Sequence, residues 1–180
     1  PMEGIKSTSM LYEAISAVKT EPVVCFGEEH DQYSTHLELY PRPNGDLYVC
    51  GCGGSDHVTA QRLRSGGDCD DPSKIYADEE RVAASEAALH SMTSAVAGRK
   101  PALTQACMRP CPPDGLPIMG PIPTNVGPDT VYVSAGHNCW GILWAPICGK
   151  AMAQLAACGS QDVLDLRAFD ISRFNVKKRG

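Results

Sequence analysis

Hydrophobic and polar positions change period several times along the 180 residues, and each change predicts an element. Ile5 to Tyr12 shows no helical period and reads as a strand, and Val23 to Phe26 is a short apolar run that fits a second. His36-Leu37-Glu38-Leu39-Tyr40 alternates, as does Leu47-Tyr48-Val49-Cys50, and Pro41-Arg42-Pro43-Asn44-Gly45-Asp46 lies between them. Alternation on both sides of Asn-Gly predicts a β-hairpin, because Asn-Gly tolerates the positive φ of a tight turn. The Gly-, Ser- and Asp-rich stretch 51–74 reads as loop.

From Asp78 to Val96 the period becomes helical, with Val82, Ser85, Leu89, Met92 and Val96 on one stripe, acids in the first turn and Pro101 as a stop. Ala102 to Met108 predicts a strand. Arg109 to Gly127 holds six prolines and three glycines and reads as turns without regular structure. Thr130 to Ser134 alternates as a strand, 136–140 is loop, and Gly141 to Cys158 is helical with Gly159 as its C-terminal cap. Pro146 falls within or just after that helix's first turn, where a missing N–H does least harm. Beyond Gln161 only a helical turn near Val163 to Phe169 is expected. Strands dominate the first part and a strand-loop-helix the second, which is an α+β pattern.

Charge narrows the partners. The net charge is −5, and the only basic run is Lys177-Lys178-Arg179, so no nucleic-acid footprint is evident. No stretch reads as a membrane span: Pro146, Gly149 and Lys150 interrupt the most apolar window, Cys139 to Ala157. Nine scattered cysteines do not form a disulfide framework and predict reduced thiols in an intracellular protein. Pro1 is no initiator residue, so the chain is expected to be a portion of a longer product. The oligomeric state is not legible.

Three motifs reduce to bland readings. Gly51-Cys52-Gly53-Gly54 lacks the third glycine of a dinucleotide fingerprint and precedes a polar loop rather than a helix. Cys50, Cys52, His57 and Cys69 have zinc-ligand chemistry without a finger spacing. His137 and Cys139 are a thiol and a base on one loop with no third group to orient them.

The stretch from Ala106 through Pro146 says more. A strand ends, a glycine-flanked loop turns and a helix begins, so free backbone N–H groups and the positive end of the helix dipole converge on one place. Such a place suits an anion or a polarised carbonyl. Arg109 ends a neighbouring strand, and a planar guanidinium suits a carboxylate, although a surface ion pair is the ordinary fate of such an arginine.

Arg109-Pro110, then Pro113-Asp114-Gly115-Leu116-Pro117-Ile118-Met119-Gly120, then a strand, then Ala135-Gly136-His137 with Gly141-Ile142 and Ala145-Pro146, together resemble the C-terminal signature of the D-amino-acid oxidase superfamily, glycine and sarcosine oxidases above all. The likeness covers most of residues 1–160, strong over 109–149 and diffuse before Tyr40. It implies a mostly antiparallel substrate-domain sheet over 1–108 and, over 109–180, the strand-loop-helix that completes an FAD-binding lobe. It implies FAD as cofactor and a small-molecule amine or amino-acid substrate, oxidised to an imine by hydride transfer to the flavin. It also implies a glycine-rich ADP-binding segment that lies outside this chain, so the chain alone is expected to be inactive.

By the matching motif Arg109 binds the substrate carboxylate, and Gly136, His137, Asn138, Cys139, Trp140, Gly141, Ile142 and Leu143 face the flavin. Cys107 matches a position that carries covalent flavin in some relatives, and a buried free thiol is its default reading. No residue is assigned as catalytic acid or base, and no metal is implied. Two lysines found in some relatives are missing, one on the hairpin and one where Leu143 or Trp144 stands, so oxygen as electron acceptor is not implied. The competing class is a non-catalytic module that keeps the fold.

Overall fold

The computed structural model describes residues 2–16, 25–28, 35–123 and 131–174. Its elements run β1 (Glu3–Tyr12), β2 (Cys25–Glu28), β3 (His36–Pro41), β4 (Leu47–Cys50), β5 (Asp56–Val58), α1 (Glu79–Met92), β6 (Leu103–Cys111), β7 (Ile118–Ile122), β8 (Val131–Ala135) and α2 (Gly141–Cys158), with short 3₁₀ turns between. The class is α+β, as the changes of period predict. Two compact units divide the chain: Lys6–Met108, and Arg109–Gly180 with Pro1–Ile5.

The larger sheet has the order β2-β3-β4-β1-β5, with β6 also paired to β1. The hairpin is antiparallel, with Leu39 opposite Val49, Tyr40 opposite Tyr48 and Pro41 opposite Leu47. Its loop differs in detail from a two-residue Asn-Gly turn. The Arg42 N–H donates to the Asp46 carbonyl at 2.8 Å, and only Gly45, at φ 87°, is left-handed. That is a three-residue loop with glycine at its left-handed position. Of the expected strand Val23 to Phe26, the first two residues lie outside the described residues, and β2 begins at Cys25.

Helix α1 starts where the sequence places it. The Asp78 carboxylate caps the Arg81 N–H at 3.0 Å, and Glu79 and Glu80 complement the dipole. The helix stops at Met92 rather than Val96. Thr93 turns extended and caps the Ala95 N–H with its hydroxyl, so a 3₁₀ turn carries Val96 into the core. Ser85, Leu89 and Val96 of the predicted stripe are buried, against Met10, Tyr12, Ile15, Leu37, Leu47, Val49 and Cys52 of the same unit.

Tyr12 gives this core a pH dependence. It is fully buried, and its hydroxyl has no hydrogen-bond partner. Desolvation, aided by the charge of Glu86, pushes its pKa up to about 12. Between pH 10 and 12 the native state keeps a proton that the unfolded chain releases, so stability falls as pH rises through that window, by up to about 3 kcal/mol. Tyr12→Phe should flatten this alkaline loss in urea titrations at pH 9 and pH 11. An unchanged slope would place the titrating group elsewhere, with Tyr40 next in line, since its bond to Glu38 holds its pKa at about 12 too.

Two expectations of irregular chain are overturned. The stretch 51–74 contains β5, and the proline-rich stretch 109–127 contains the end of β6 and all of β7. β7 pairs antiparallel with β8, with Ile118 opposite Ala135 and Gly120 opposite Val133. Pro110 and Pro121 are exposed, Pro110 near the end of β6 and Pro121 in a two-stranded ribbon. Proline is tolerated in sheets at outer positions, where its missing N–H faces away from the ladder. Pro146 sits where expected, just after the first turn as the sixth residue of α2, where it removes one intrahelical bond.

The helical stretch Asn138–Cys158 differs most from expectation. With a mean hydropathy of 1.2 over an 18-residue window of its 21 residues, it is long and apolar enough to cross a membrane by length and composition, and only 11% of that window is buried. One lysine, one proline and two glycines do not offset its aliphatic and aromatic residues. Ile142 is 95% exposed and Leu143 68% exposed.

Candidate functional site

The second unit builds its site around the start of α2. β8 ends at Ala135, and Gly136 then turns the chain at φ 80°. A Cβ on Gly136 would lie 2.6 Å from Cγ of Pro112, so only glycine allows the turn to rest on the buried proline that follows β6. Asn138 is also left-handed, at φ 49°. It opens a 3₁₀ turn, closed by the Trp140 N–H donating to the His137 carbonyl at 2.9 Å, and α2 begins at Gly141.

No side chain caps this helix, and its first turn carries no carboxylate. The chain's own groups therefore leave the positive end of an 18-residue helix uncompensated. Burial holds His137 below the ordinary histidine pKa, which favours its neutral form. The Trp140 and Trp144 rings stack at 6.0 Å with 20° between their planes, and the His137 ring meets Trp144 edge-on at 6.5 Å. The two tryptophans thus brace each other along the first turns of the helix.

The strand preceding this turn is tied to it. The Asn138 Nδ2 lies 3.7 Å from Sγ of Cys111, the last residue of β6. Arg109 stands two residues earlier on the same face of that strand, half-buried. Cys111 carries a partly buried thiol, whereas Cys107 is exposed, contrary to its default reading as a buried thiol. Cys139 is exposed as well. After β6 the Pro-Asp-Gly turn is fixed by the C-terminal segment: Arg173 donates to Asp114 at 2.7 Å and to the Leu116 carbonyl at 2.7 Å. This holds the Asp114 carboxyl below the usual carboxylate range.

The structure therefore gathers Gly136 to Leu143 into one turn-and-helix start and joins it through Cys111 to the strand of Arg109. Cys111 carried no signal of its own in the sequence, since its partner lies 27 residues away. Among the described residues, no three His, Cys, Asp or Glu side chains are placed to hold a metal. Cys50 instead contacts Glu38 at 3.6 Å, and Cys69 contacts Arg62 at 3.8 Å.

An uncapped helix start without carboxylates fits a group that is electron-rich at one edge, as the flavin ring is at N1 and the C2 carbonyl. The comparisons with known proteins point the same way. The model of the DAO family, FAD dependent oxidoreductase, matches residues 1–155. The Saccharomyces cerevisiae protein "Putative oxidoreductase TDA3" is 34% identical over 62 residues, which are 31% of this chain and 12% of that protein. The crystal structure of glycine oxidase from Geobacillus kaustophilus shares the fold over 96% of this chain and 39% of its own, with a TM-score of 0.58 and 19% identity. The chain thus spans well under half the length of either protein. Matched by the family over most of its residues, it belongs to the DAO family of FAD dependent oxidoreductases.

Proposed function

We propose that this chain is the substrate-side and flavin-edge portion of an enzyme that oxidises an amine or amino acid to an imine. The observation that carries this reading is the uncapped start of α2, set by Gly136 and Asn138 and fastened to the strand that bears Arg109. On this reading the unit Lys6–Met108 is part of the substrate domain, and Arg109–Gly180 completes the FAD lobe. The ADP-binding segment belongs to the remainder of the enzyme, and the bare face of Ile142, Leu143 and Ile147 packs against that remainder.

Each residue's role follows from its chemistry. Arg109 receives the substrate carboxylate as a planar two-pronged donor and so fixes which carbon faces the flavin. Backbone N–H groups from Gly136 through Leu143, with the helix dipole behind them, stabilise negative charge that develops at the pyrimidine edge. FAD, when bound, supplies the two-electron acceptor. No strong base among these residues is required where the amine enters unprotonated.

The test is the visible spectrum of the full-length protein before and after acid precipitation. A flavin spectrum whose colour stays in the supernatant supports this reading with non-covalent FAD. Colour in the pellet supports it with Cys107 as the point of attachment. Absence of flavin, even after added FAD, would replace the reading with a non-catalytic module of the same fold.

A further inference from the structure

Cys111, which lies outside the expected flavin contacts, meets the side chain of Asn138, whose backbone alone those contacts use, at the start of α2. Asn138 is one of only two non-glycine residues with positive φ among the described residues. Asparagine tolerates that conformation better than most residues, yet it remains strained there. Its side-chain Oδ1 is buried without a hydrogen-bond partner, while Nδ2 faces the Cys111 sulfur at 3.7 Å. Turning the amide over would exchange the two atoms, and either arrangement pairs one amide atom with the thiol and leaves the other without a partner. A strained backbone and a half-satisfied buried amide persist in a fold only where surrounding contacts enforce them.

The enforcing contacts are visible. The Cys111 thiol also reaches the Pro112 carbonyl at 3.6 Å, and Pro112 is the residue on which Gly136 rests, with no room for a Cβ. Residues 111 and 112 at the end of one strand therefore hold residues 136 and 138 at the entry to the helix. Arg109 lies on the same strand, about 7 Å upstream of Cys111 along its axis.

We infer that Cys111 and Asn138 form a positioning pair that locks the N–H groups at the start of α2 in register with the carboxylate-binding strand. Both side chains act as positioning groups, turned to each other rather than assigned to substrate or flavin. Their effect passes through the backbone: a turn held at one φ keeps the dipoles aimed where charge develops, and a turn that relaxes lets them drift. The inference rests on the flavoenzyme reading above.

The experiment uses the full-length flavoprotein with Asn138→Gly, Cys111→Ala, their combination and Cys111→Ser. Glycine accepts the left-handed conformation without strain, so Asn138→Gly removes only the amide. For each single variant we expect about tenfold weaker FAD binding and about a tenfold loss of preference for reduced over oxidised flavin, which lowers the two-electron midpoint potential by about 30 mV. The double variant should be no worse than either single one, because both break one contact. Cys111→Ser, which keeps a hydrogen-bonding atom, should recover most of the potential. Additive losses, or an unchanged potential in flavin-replete variants, would overturn the pairing while leaving the flavoenzyme reading intact. A wild-type protein that binds no flavin would overturn both.

Discussion

Alanine at position 51 should destabilise the larger unit by about 3–5 kcal/mol, a large share of the 5–15 kcal/mol that holds most domains together. Gly51 follows β4 at φ 75°, and a Cβ there would lie 1.8 Å from the carbonyl oxygen of His36 and 2.9 Å from its carbon. Both are backbone atoms, so no rotamer change relieves the overlap. The same two residues close the open end of the hairpin through the His36 N–H donating to the Gly51 carbonyl at 3.2 Å. Gly45→Ala is the control. Its φ of 87° is equally unfavourable for alanine, but nothing lies within 4 Å of the added carbon, so about 1–2 kcal/mol is expected. Urea midpoints for the two variants separate the clash from the backbone preference. Equal losses would show that the strand ends at His36 and Gly51 move apart freely and that the close approach constrains nothing.

The contrast between these glycines also shows what the sequence could convey. Gly45 was legible because an alternating run stands on each side of Asn44-Gly45, and a loop between such runs must turn back. Gly51 was read only as the edge of a loop, since its constraint comes from His36, 15 residues earlier in the chain. The same division runs through the fold. The acids that open α1 and Gly159 as terminator of α2 are local signals, and the start of the first helix and the end of the second were readable. β5 is three residues long and exists through pairing within its sheet, so a window that sees only Ser55 to Thr59 reads loop. β7 was hidden by its prolines, because the side of the ribbon that Pro121 faces is a tertiary fact.

At the site, the turn and the arginine were legible from their joint spacing across some 40 residues. That spacing locates the pieces, but the contact that fastens them, a thiol against an amide 27 residues away, has no sequence signature. The exposed face of α2 is a related case. Ile142, Leu143 and Ile147 follow the rule for a buried helix, yet all three are exposed. Periodicity reports that such a face requires a partner and does not report which surface supplies it.

Arg109 carries the largest functional expectation. In the full-length enzyme, Arg109→Ala should lower kcat/KM for carboxylate-bearing amines by about 10²- to 10³-fold, or roughly 3–4 kcal/mol, because the variant leaves a desolvated carboxylate without its two-pronged partner. FAD affinity should change by less than about threefold, since the proposed function gives the flavin edge to the backbone of Gly136 to Leu143 rather than to this side chain. Arg109→Lys should recover only part of the loss, as an ammonium supplies charge without the planar fork. An amine lacking the carboxylate provides the internal reference: its kcat/KM should fall by no more than a few fold in either variant. Half-burial on the strand that Cys111 fastens to the helix start fits this role, because an arginine that selects substrates has to be held while its guanidinium remains reachable. Equal losses for both substrates, or a fall in FAD affinity that matches the fall in kcat/KM, would instead make Arg109 a structural anchor of β6. The carboxylate would then have to be received by another cation.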